Sequence, residues 1–589
     1  MDIDSSPAKD REARMLAFSS GRMRIFLEIL AAAISGALYA AIFAGPGWHW
    51  FAWFGMVPLY CLISGRDSKK AFWYTYIWGY FWSLFSFIWL REILFPIPFV
   101  FSLLLGLFPA LWGVTVPFLF RNFMIPADVR LKGAESIRSW RNRNPFKEIA
   151  FCMALAGWWC VTEWIRSWIF TGLPWNLVGS SQWKFNALIQ ICEYTGVYGV
   201  SFLVVLVNLS IGVFVKQLFL PGDRMGSAIR LYSLIFAFAL VQLSIALSIK
   251  NVVWLKAASS DYSTLRIGVV QPDLSQRRKG GPELVLEAID ICVSLSEKLM
   301  ENFGEVNAAD RPALLVWPES AIPVPYNADA PLSERYRNEV RRLNRITGTP
   351  LLIGSLYLEP NPKNPDQAFI YNSALFIRNG GLVEDLYSKV HIVPFGEYVP
   401  FGETFPWLNR LVGMGRNLSR GKQFRPLEIA PGVRAGISIC YEDVFAYISR
   451  AQALNGANFL MVVTNDAWYP TSDEPVQHFA NSVFRAVETR LPMLRCGNSN
   501  FSVAVDPTGR VSDSIRKGDP GWTGRQSAVL TVRYNPNPKP TFYTRYGNVF
   551  VGVCFAFALL IFAVAVIQWK IYKSAFLDVF EKTSGEKGY

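Results

Sequence analysis

The stretch "GISICYEDVF" (residues 436–445) decides how this chain is read. Its first half is an almost uninterrupted apolar run of the kind found in strands buried on both faces, and the run stops at Cys440. Tyr441, Glu442 and Asp443 follow immediately. A lone cysteine at a strand end is more often a small core hydrophobe than a nucleophile. A thiol that only fills space has no need of two carboxylates at its side, so both readings stand until the surroundings are read.

The surroundings repeat the pattern. Between about 262 and 536, short β-branched runs alternate with polar segments marked by Pro and Gly. Strands are expected at "TLRIGVVQ", "PALLVWPES", "PLLIGSLYL", "NSALFIRN", "RAGISICYE", "NFLMVVTND" and "FSVAVDPTGRV". Helical periodicity falls between several of them, at 282–303, 331–347, 442–455 and 474–490. This order predicts an α/β domain of stacked sheets covered by helices. In such folds chemistry gathers at the carboxyl ends of strands. "LLVWPES" ends at Glu319, and Lys389 follows "LVEDLYS", with Glu397 eight residues on. Taken singly, each has a duller reading as a solvated or surface residue.

The rest of the chain has a different texture. Of 589 residues 52% are hydrophobic and 17% charged, too apolar for a soluble protein of this length. Apolar stretches at 25–44, 49–64, 71–90, 98–120, 149–169, 197–219 and 229–249 precede residue 250, and an eighth covers 547–569. About eight helical spans are therefore expected. The second is the weakest, being short and holding Pro58.

Basic residues fix the expected orientation. Lys9, Arg11, Arg14, Arg22 and Arg24 mark the tail 1–24, Arg121 to Lys147 the loop after the fourth span, and Lys570, Lys573, Lys582 and Lys587 the tail 570–589. All of these belong in the cytoplasm. The transmembrane part then covers 25–250, a periplasmic α/β domain 262–536, and the last helix 547–569. The net charge of +13 sits where topology needs it, so nucleic acid is not an expected partner. Eight cysteines without CxxC spacing point to neither a metal nor a disulfide framework, and no cofactor is expected.

Several motifs then fall in order: "WIRSWIFTGLPWN" (164–176), "VWPESAIP" (316–323), "YSKVHIVPFGEYVPF" (387–401), "ICYE" (439–442), "TNDAWY" (464–469), "QHF" (477–479) and "RAVETRLPMLR" (485–495). Together they resemble the nitrilase superfamily and, with the spans, its membrane-embedded branch, the apolipoprotein N-acyltransferase family. The resemblance implies an αββα sandwich with Cys440 as nucleophile, Glu319 as general base and Lys389 stabilising the oxyanion. It implies auxiliary acids at Glu397 and Glu442, and substrate contacts at Tyr441, Asn465, Trp468 and Trp407.

The implied reaction moves an acyl chain from a membrane phospholipid, through a cysteine thioester, to the α-amino group of a diacylglyceryl-modified lipoprotein cysteine. The implied setting is the bacterial inner membrane. A membrane-anchored amide hydrolase with the same trio is the alternative, and an inert outer domain on a transporter a weaker one. The chain departs from the family pattern at "SQRRKGG" (275–281), which lacks an expected aromatic, at "YPTSDEP" (469–475), and at Cys496 and Gly497.

Residue chemistry sets a condition on those roles. An ordinary thiol has a pKa near ~8.5 and a glutamate near ~4.3, so proton transfer between them is uphill by roughly 5.5 kcal/mol. Burial and neighbouring acids raise a glutamate, and a nearby ammonium lowers a thiol. The expectation is therefore that Glu442, with Asp443, adds negative potential around Glu319 while Lys389 favours the thiolate. His391 and His478 are expected to make structural hydrogen bonds. Glu163 and Arg166, three apart on one helical face, can pair at the membrane boundary. The Pro/Gly-rich, aromatic stretch 393–415 is expected to form an arm on the bilayer with Trp407 as interfacial anchor.

Overall fold

The computed structural model describes residues 7–45, 47–125, 144–218, 230–275, 281–303, 310–364, 367–378, 380–402, 404–412, 417–469, 471–516 and 524–585. Arg130, Lys132, Arg138, Arg141 and Arg143 of the basic loop, Arg277, Arg278 and Lys279 of "SQRRKGG", residues 413–416 of the aromatic stretch, Pro470 and Lys587 lie outside the described residues. The chain divides into two units, Met1–Arg166 with Ser201–Leu243 and Val551–Tyr589, and Ser167–Val200 with Ser244–Phe550.

In the first unit, apolar length dictates helices, because a backbone in hydrocarbon must satisfy its own hydrogen bonds. Five helical segments among the described residues are long and apolar enough to cross a membrane: Gly21–Phe43, Ile97–Met124, Val197–Leu218, Tyr232–Val253 and Val549–Ala575. Ser68–Ser86 and Pro145–Arg166 are helices of 19 and 22 residues at the expected third and fifth spans, but they carry Lys69 and Lys70, and Lys147, Glu148, Glu163 and Arg166. The expected second span is not one helix. It breaks into a 3-10 turn, Trp48–Trp53, and a short helix, Val57–Ile63, with Pro58 in its first turn. Buried Asn208 answers the break: its amide donates to the Ala52 carbonyl at 2.7 Å and accepts from the Met56 N–H at 2.9 Å.

The helices pack through aromatic rings and glycine. Tyr39 lies 5.3 Å from Trp78, Trp78 5.3 Å from Trp82, and Trp112 5.3 Å edge-on to Trp159. Gly36 lets two helices touch, since a Cβ there would stand 2.2 Å from the Trp78 carbonyl oxygen. One end of this unit collects charge. Glu28 pairs with Arg24 at 3.1 Å and with Arg66, and accepts from the Tyr74 hydroxyl at 2.6 Å. Arg121 donates to the Arg66 carbonyl at 3.0 Å.

The second unit holds two six-stranded sheets. One has the order β12-β1-β2-β3-β4-β5, built from β1 Ser263–Gln271, β2 Leu314–Trp317, β3 Leu351–Pro360, β4 Ala368–Arg378, β5 Leu382–Ser388 and β12 Gln526–Tyr534. The other runs β11-β10-β9-β8-β7-β6, from β6 Leu427–Ala430, β7 Val433–Ile439, β8 Phe459–Thr464, β9 Met493–Gly497, β10 Phe501–Val505 and β11 Val511–Arg516. The central pairs β1–β2, β2–β3, β7–β8 and β8–β9 are parallel, and the flanking pairs are antiparallel. β2 and β8 are buried at every residue, as strands covered on both faces must be.

The sheets pack face to face. The Cys496 sulfur on β9 lies 3.6 Å from the Val270 carbonyl on β1 and 3.5 Å from that of Val316 on β2. Helices Pro282–Glu301 and Pro331–Thr347 cover the first sheet, burying Val285, Ile289, Val340 and Leu343 against Trp317, Leu351 and Ile353. Helices Ala446–Leu454 and Glu474–Thr489 accompany the second sheet, the Gln452 side chain of the former donating to the Ile437 carbonyl of β7. The expected αββα sandwich is present. Five of its strands, β5, β6, β9, β11 and β12, fall outside the expected set, because they are short or half-polar and carry little periodicity of their own.

Candidate active site

Three strand ends bring the sequence-derived trio together. β2 stops at Trp317, and Glu319 follows it into the interior. Its backbone lies so close to β3 that a Cβ on Gly354 would meet the Pro318 carbonyl at 2.3 Å, so that position requires glycine. Lys389 leaves β5 directly and is buried, with its N–H donating to the Asn372 carbonyl on β4 at 2.8 Å. Cys440 leaves β7 directly and takes a left-handed backbone conformation, φ +52°. Non-glycine residues rarely adopt it, and such strain clusters at functional sites.

The side chains meet. The Cys440 thiol lies close enough to the Glu319 carboxylate for each to shift the other. Lys389 Nζ lies 3.6 Å from Glu319 Oε1 and 2.9 Å from Glu397 Oε1. Asn372, which the sequence reading did not single out, joins the two acids: its Nδ2 donates to Glu319 Oε1 at 2.8 Å and to Glu397 Oε1 at 3.0 Å. Its only sequence signal is a polar side chain inside the apolar strand "NSALFI". Burial alone would lower Lys389, but Glu397 and then Glu319 hold it well above its ordinary value. Burial raises Glu319; the Lys389 ammonium opposes this and the Glu397 charge adds to it.

Two electrostatic expectations are corrected. The Cys440 thiol is not lowered: burial, and after it the Glu319 charge, push it well above its ordinary value, and Lys389 offsets this only in part. The carboxylate that raises Glu319 is Glu397 rather than Glu442. Glu442 is fully buried and acts as an acceptor hub. It takes the backbone N–H of Ile439 at 2.8 Å, of Val390 at 2.6 Å and of His391 at 2.9 Å, with the Tyr387 hydroxyl at 3.0 Å. It thereby ties the turn bearing Cys440 to the chain leaving Lys389. Burial raises its carboxyl to about 7 against the pull of those N–H groups.

Behind Cys440 lies a second buried cluster. Asp443 accepts from His478 Nε2 at 2.8 Å and Arg495 Nη1 at 2.8 Å, and Asp466 accepts from His478 Nδ1 at 2.9 Å and Arg495 Nη2 at 2.8 Å. Asp443 is thus a core ion-pair partner. Asp466, Glu474 and His478 converge as a metal site would require. The donor chemistry does not fit, because the Arg495 guanidinium already binds Asp466. Burial also works against charge on His478, yet Asp443 and Asp466 raise it to about 10, which leaves no lone pair for an ion. His391 bonds the Tyr447 hydroxyl at 2.9 Å and stacks on Phe445, and burial lowers it to about 3.

The proposed substrate-contacting residues separate. Tyr441 stacks on Trp175, ring centroids 5.9 Å apart, beside Cys440. Asn465 is buried and accepts from Asn498 Nδ2 at 2.9 Å, which makes it part of the frame at the end of β8. Trp468 and Trp407 are exposed, at 53% and 57%. In the aromatic stretch, Phe395, Phe401 and Phe405 are exposed as well, with Phe401 at 75%. Trp175 was missed as a site residue, although it lies within "TGLPWN"; Gln477 Oε1 accepts from its indole N–H at 3.0 Å.

A thiol, an ammonium and a carboxylate at three strand ends of a two-sheet sandwich define a carbon–nitrogen hydrolase type of domain, and residues 266–530 match the family model "Carbon-nitrogen hydrolase". Residues 35–210 match "Apolipoprotein N-acyltransferase N-terminal domain". The chain is 30% identical over 552 residues to the apolipoprotein N-acyltransferase of Geobacter metallireducens, covering 92% of this chain and 96% of that one. To that of Rickettsia prowazekii it is 27% identical, covering 90% and 96%. The chain belongs to the apolipoprotein N-acyltransferase family. Among solved structures it is similar to Nit3 of Saccharomyces cerevisiae, described as a member of the nitrilase superfamily, at 17% identity and a TM-score of 0.33, covering 48% of this chain and 94% of that one.

Proposed function

We propose that this protein transfers an acyl chain from a membrane phospholipid to the α-amino group of a diacylglyceryl-modified apolipoprotein. The observation that carries the reading is the convergence of buried Glu319 and Lys389, 3.6 Å apart, with the Cys440 thiol close enough to feel both charges, in a chain of this family. Cys440 Sγ attacks the ester carbonyl while Glu319 takes the thiol proton. Both groups are raised, so this proton moves during attack and not from a standing thiolate. Lys389 has three N–H donors, and with Glu397 and Glu319 as neighbours one remains for the developing oxyanion. Glu319 returns its proton to the departing lysophospholipid oxygen, leaving a thioester. The lipoprotein amine then attacks the thioester, giving a proton to Glu319, and the proton passes to the leaving sulfur as the amide forms.

The charge at the helix ends supports the proposed setting. Glu28, Arg24, Arg66 and Arg121 share one end of the membrane unit, which supports eight crossings with Arg66 and Arg121 cytoplasmic and the broken stretch 48–63 as the second. Both termini are then cytoplasmic and the catalytic domain periplasmic, where a lipoprotein arrives after its signal peptide is removed. The exposed aromatics Phe395, Phe401, Phe405 and Trp407 lie on the bilayer as an arm beside Lys389, admitting substrates that carry acyl chains.

The test is purified protein with labelled phospholipid and a diacylated lipopeptide, with Cys440→Ala and Trp407→Ser as companions. Transfer, a labelled adduct lost in Cys440→Ala, and a raised KM for vesicle-borne donor in Trp407→Ser are expected. Release of free fatty acid with no amide product would replace transfer with hydrolysis.

A further inference from the structure

Cys440 holds a backbone conformation, φ +52°, that ordinary residues avoid, and the strain needs an opposing force from its surroundings. On one side that force is Glu442, which accepts the Ile439 N–H just before the cysteine. On the other side the carbonyl oxygen of Cys440 itself lies 3.3 Å from His478 Nε2. His478 is set by Asp443 in the turn after β7 and Asp466 past the end of β8, and Arg495 on β9 donates to both of those acids. Ser482, one helical turn on from His478, donates to Asp443 and lies 3.0 Å from Arg495 Nη1, and Thr464 donates to Asp466 at 2.9 Å. Trp175 covers the imidazole, with ring centroids 5.1 Å apart.

We propose that His478 is a positioning residue for the nucleophile: its Nε2–H, shared between Asp443 and the Cys440 carbonyl, clamps Cys440 in the left-handed conformation that turns its thiol to Glu319. The inference rests on Cys440 being the nucleophile. Burying two acids and two bases gives no stability that well-packed apolar residues would not give as well. What such a quartet supplies, and apolar packing does not, is a donor of fixed direction anchored from four elements. Asp443, Asp466, Arg495 and Glu474, 3.7 Å from Nδ1, are the charged groups that face the imidazole. Burial raises Glu474 well above its ordinary value, and Asp443 and Asp466 are held below theirs by the two cations despite burial. Two anions thus face two cations. Charge on the ring is balanced, and both nitrogens are left as donors.

The experiment uses the full-length enzyme with labelled phospholipid in single-turnover acylation, together with alkylation of Cys440 by a small uncharged thiol reagent and a melting curve. His478→Phe keeps the ring and removes the donor. Acylation is expected to slow by ~10²-fold, the loss that a displacement of about an ångström brings. The KM for phospholipid is expected to stay within about twofold, because the clamp touches no lipid. His478→Gln retains an amide N–H near the Nε2 position and is expected to recover most of the rate. Wild-type acylation and alkylation in a folded His478→Phe protein would overturn the clamp. Should that variant fail to fold, Ser482→Ala removes one donor to Asp443 and one acceptor for Arg495 and leaves the imidazole in place: slower acylation at unchanged KM supports the clamp, and an unchanged rate overturns it. Full transfer by Cys440→Ala would instead remove the nucleophile assignment beneath it, a failure distinct from an active His478→Phe protein.

Discussion

Cys440 stands between two buried charge clusters of opposite balance. On the side of β4 and β5, one ammonium, Lys389, faces two carboxylates, Glu319 and Glu397. On the side of β8 and β9, two cations, His478 and Arg495, face two carboxylates, Asp443 and Asp466. In the first, negative charge is in excess, and burial, with the Glu397 charge adding to it, raises the Glu319 carboxyl beside the thiol. In the second, two cations hold Asp443 and Asp466 ionised, and burial raises the third acid, Glu474, 3.7 Å from His478 Nδ1 and away from the thiol. The difference teaches that a raised carboxyl placed beside the thiol is a group ready to take a proton, whereas acids each bridged by two cations make a frame. Only the unbalanced cluster touches the thiol with a titratable side chain; the balanced one reaches the same residue through its backbone carbonyl.

The largest expected effect tests the imbalance. Glu319→Gln removes the proton acceptor, and acyl-enzyme formation should fall by ~10²–10⁴-fold in a single-turnover assay. The same change leaves Lys389 paired with Glu397 alone, so the melting temperature should hold or rise. A markedly lower melting temperature would break the comparison.

Next comes the frame. Arg495→Met strips a cation from a closed quartet and leaves an uncompensated buried carboxylate. It should cost about 3–5 kcal/mol of stability, read by chemical denaturation in detergent. A loss under about 1 kcal/mol would show that the quartet is not the balanced frame described here.

The smallest effect is a slope with pH. Glu442 is raised from 4.5 to about 7 in the fold. A carboxyl raised in this way contributes stability that is fully present below its unfolded pKa and lost as pH rises through the folded one. Melting temperatures between pH 4.5 and 7 should therefore carry a downward contribution that Glu442→Gln, fixed in the neutral state, removes. An identical slope in the variant would assign it to another group.

The sequence alone determined a good deal. Near-continuous apolar runs ending in Glu319 and Cys440 placed those two residues at strand ends, because a strand buried on both faces can turn reactive only where it leaves the sheet, while Lys389 follows the half-polar "LVEDLYS" and was marked by its motif. Apolar length likewise marked the membrane helices. The failures were local where the polypeptide had help from afar. The stretch 49–64 reads as a weak span and is not one helix, because Asn208, some 150 residues on, satisfies the freed backbone groups. The tertiary structure decided the electrostatics: that the thiol is raised, that Glu442 is an acceptor hub, that Asn372 joins two acids and that Asp443 belongs to a quartet. Periodicity records how much of a residue is buried. The protonation of a buried group depends on which charges lie within a few ångströms, and those come from distant parts of the chain that only folding brings together.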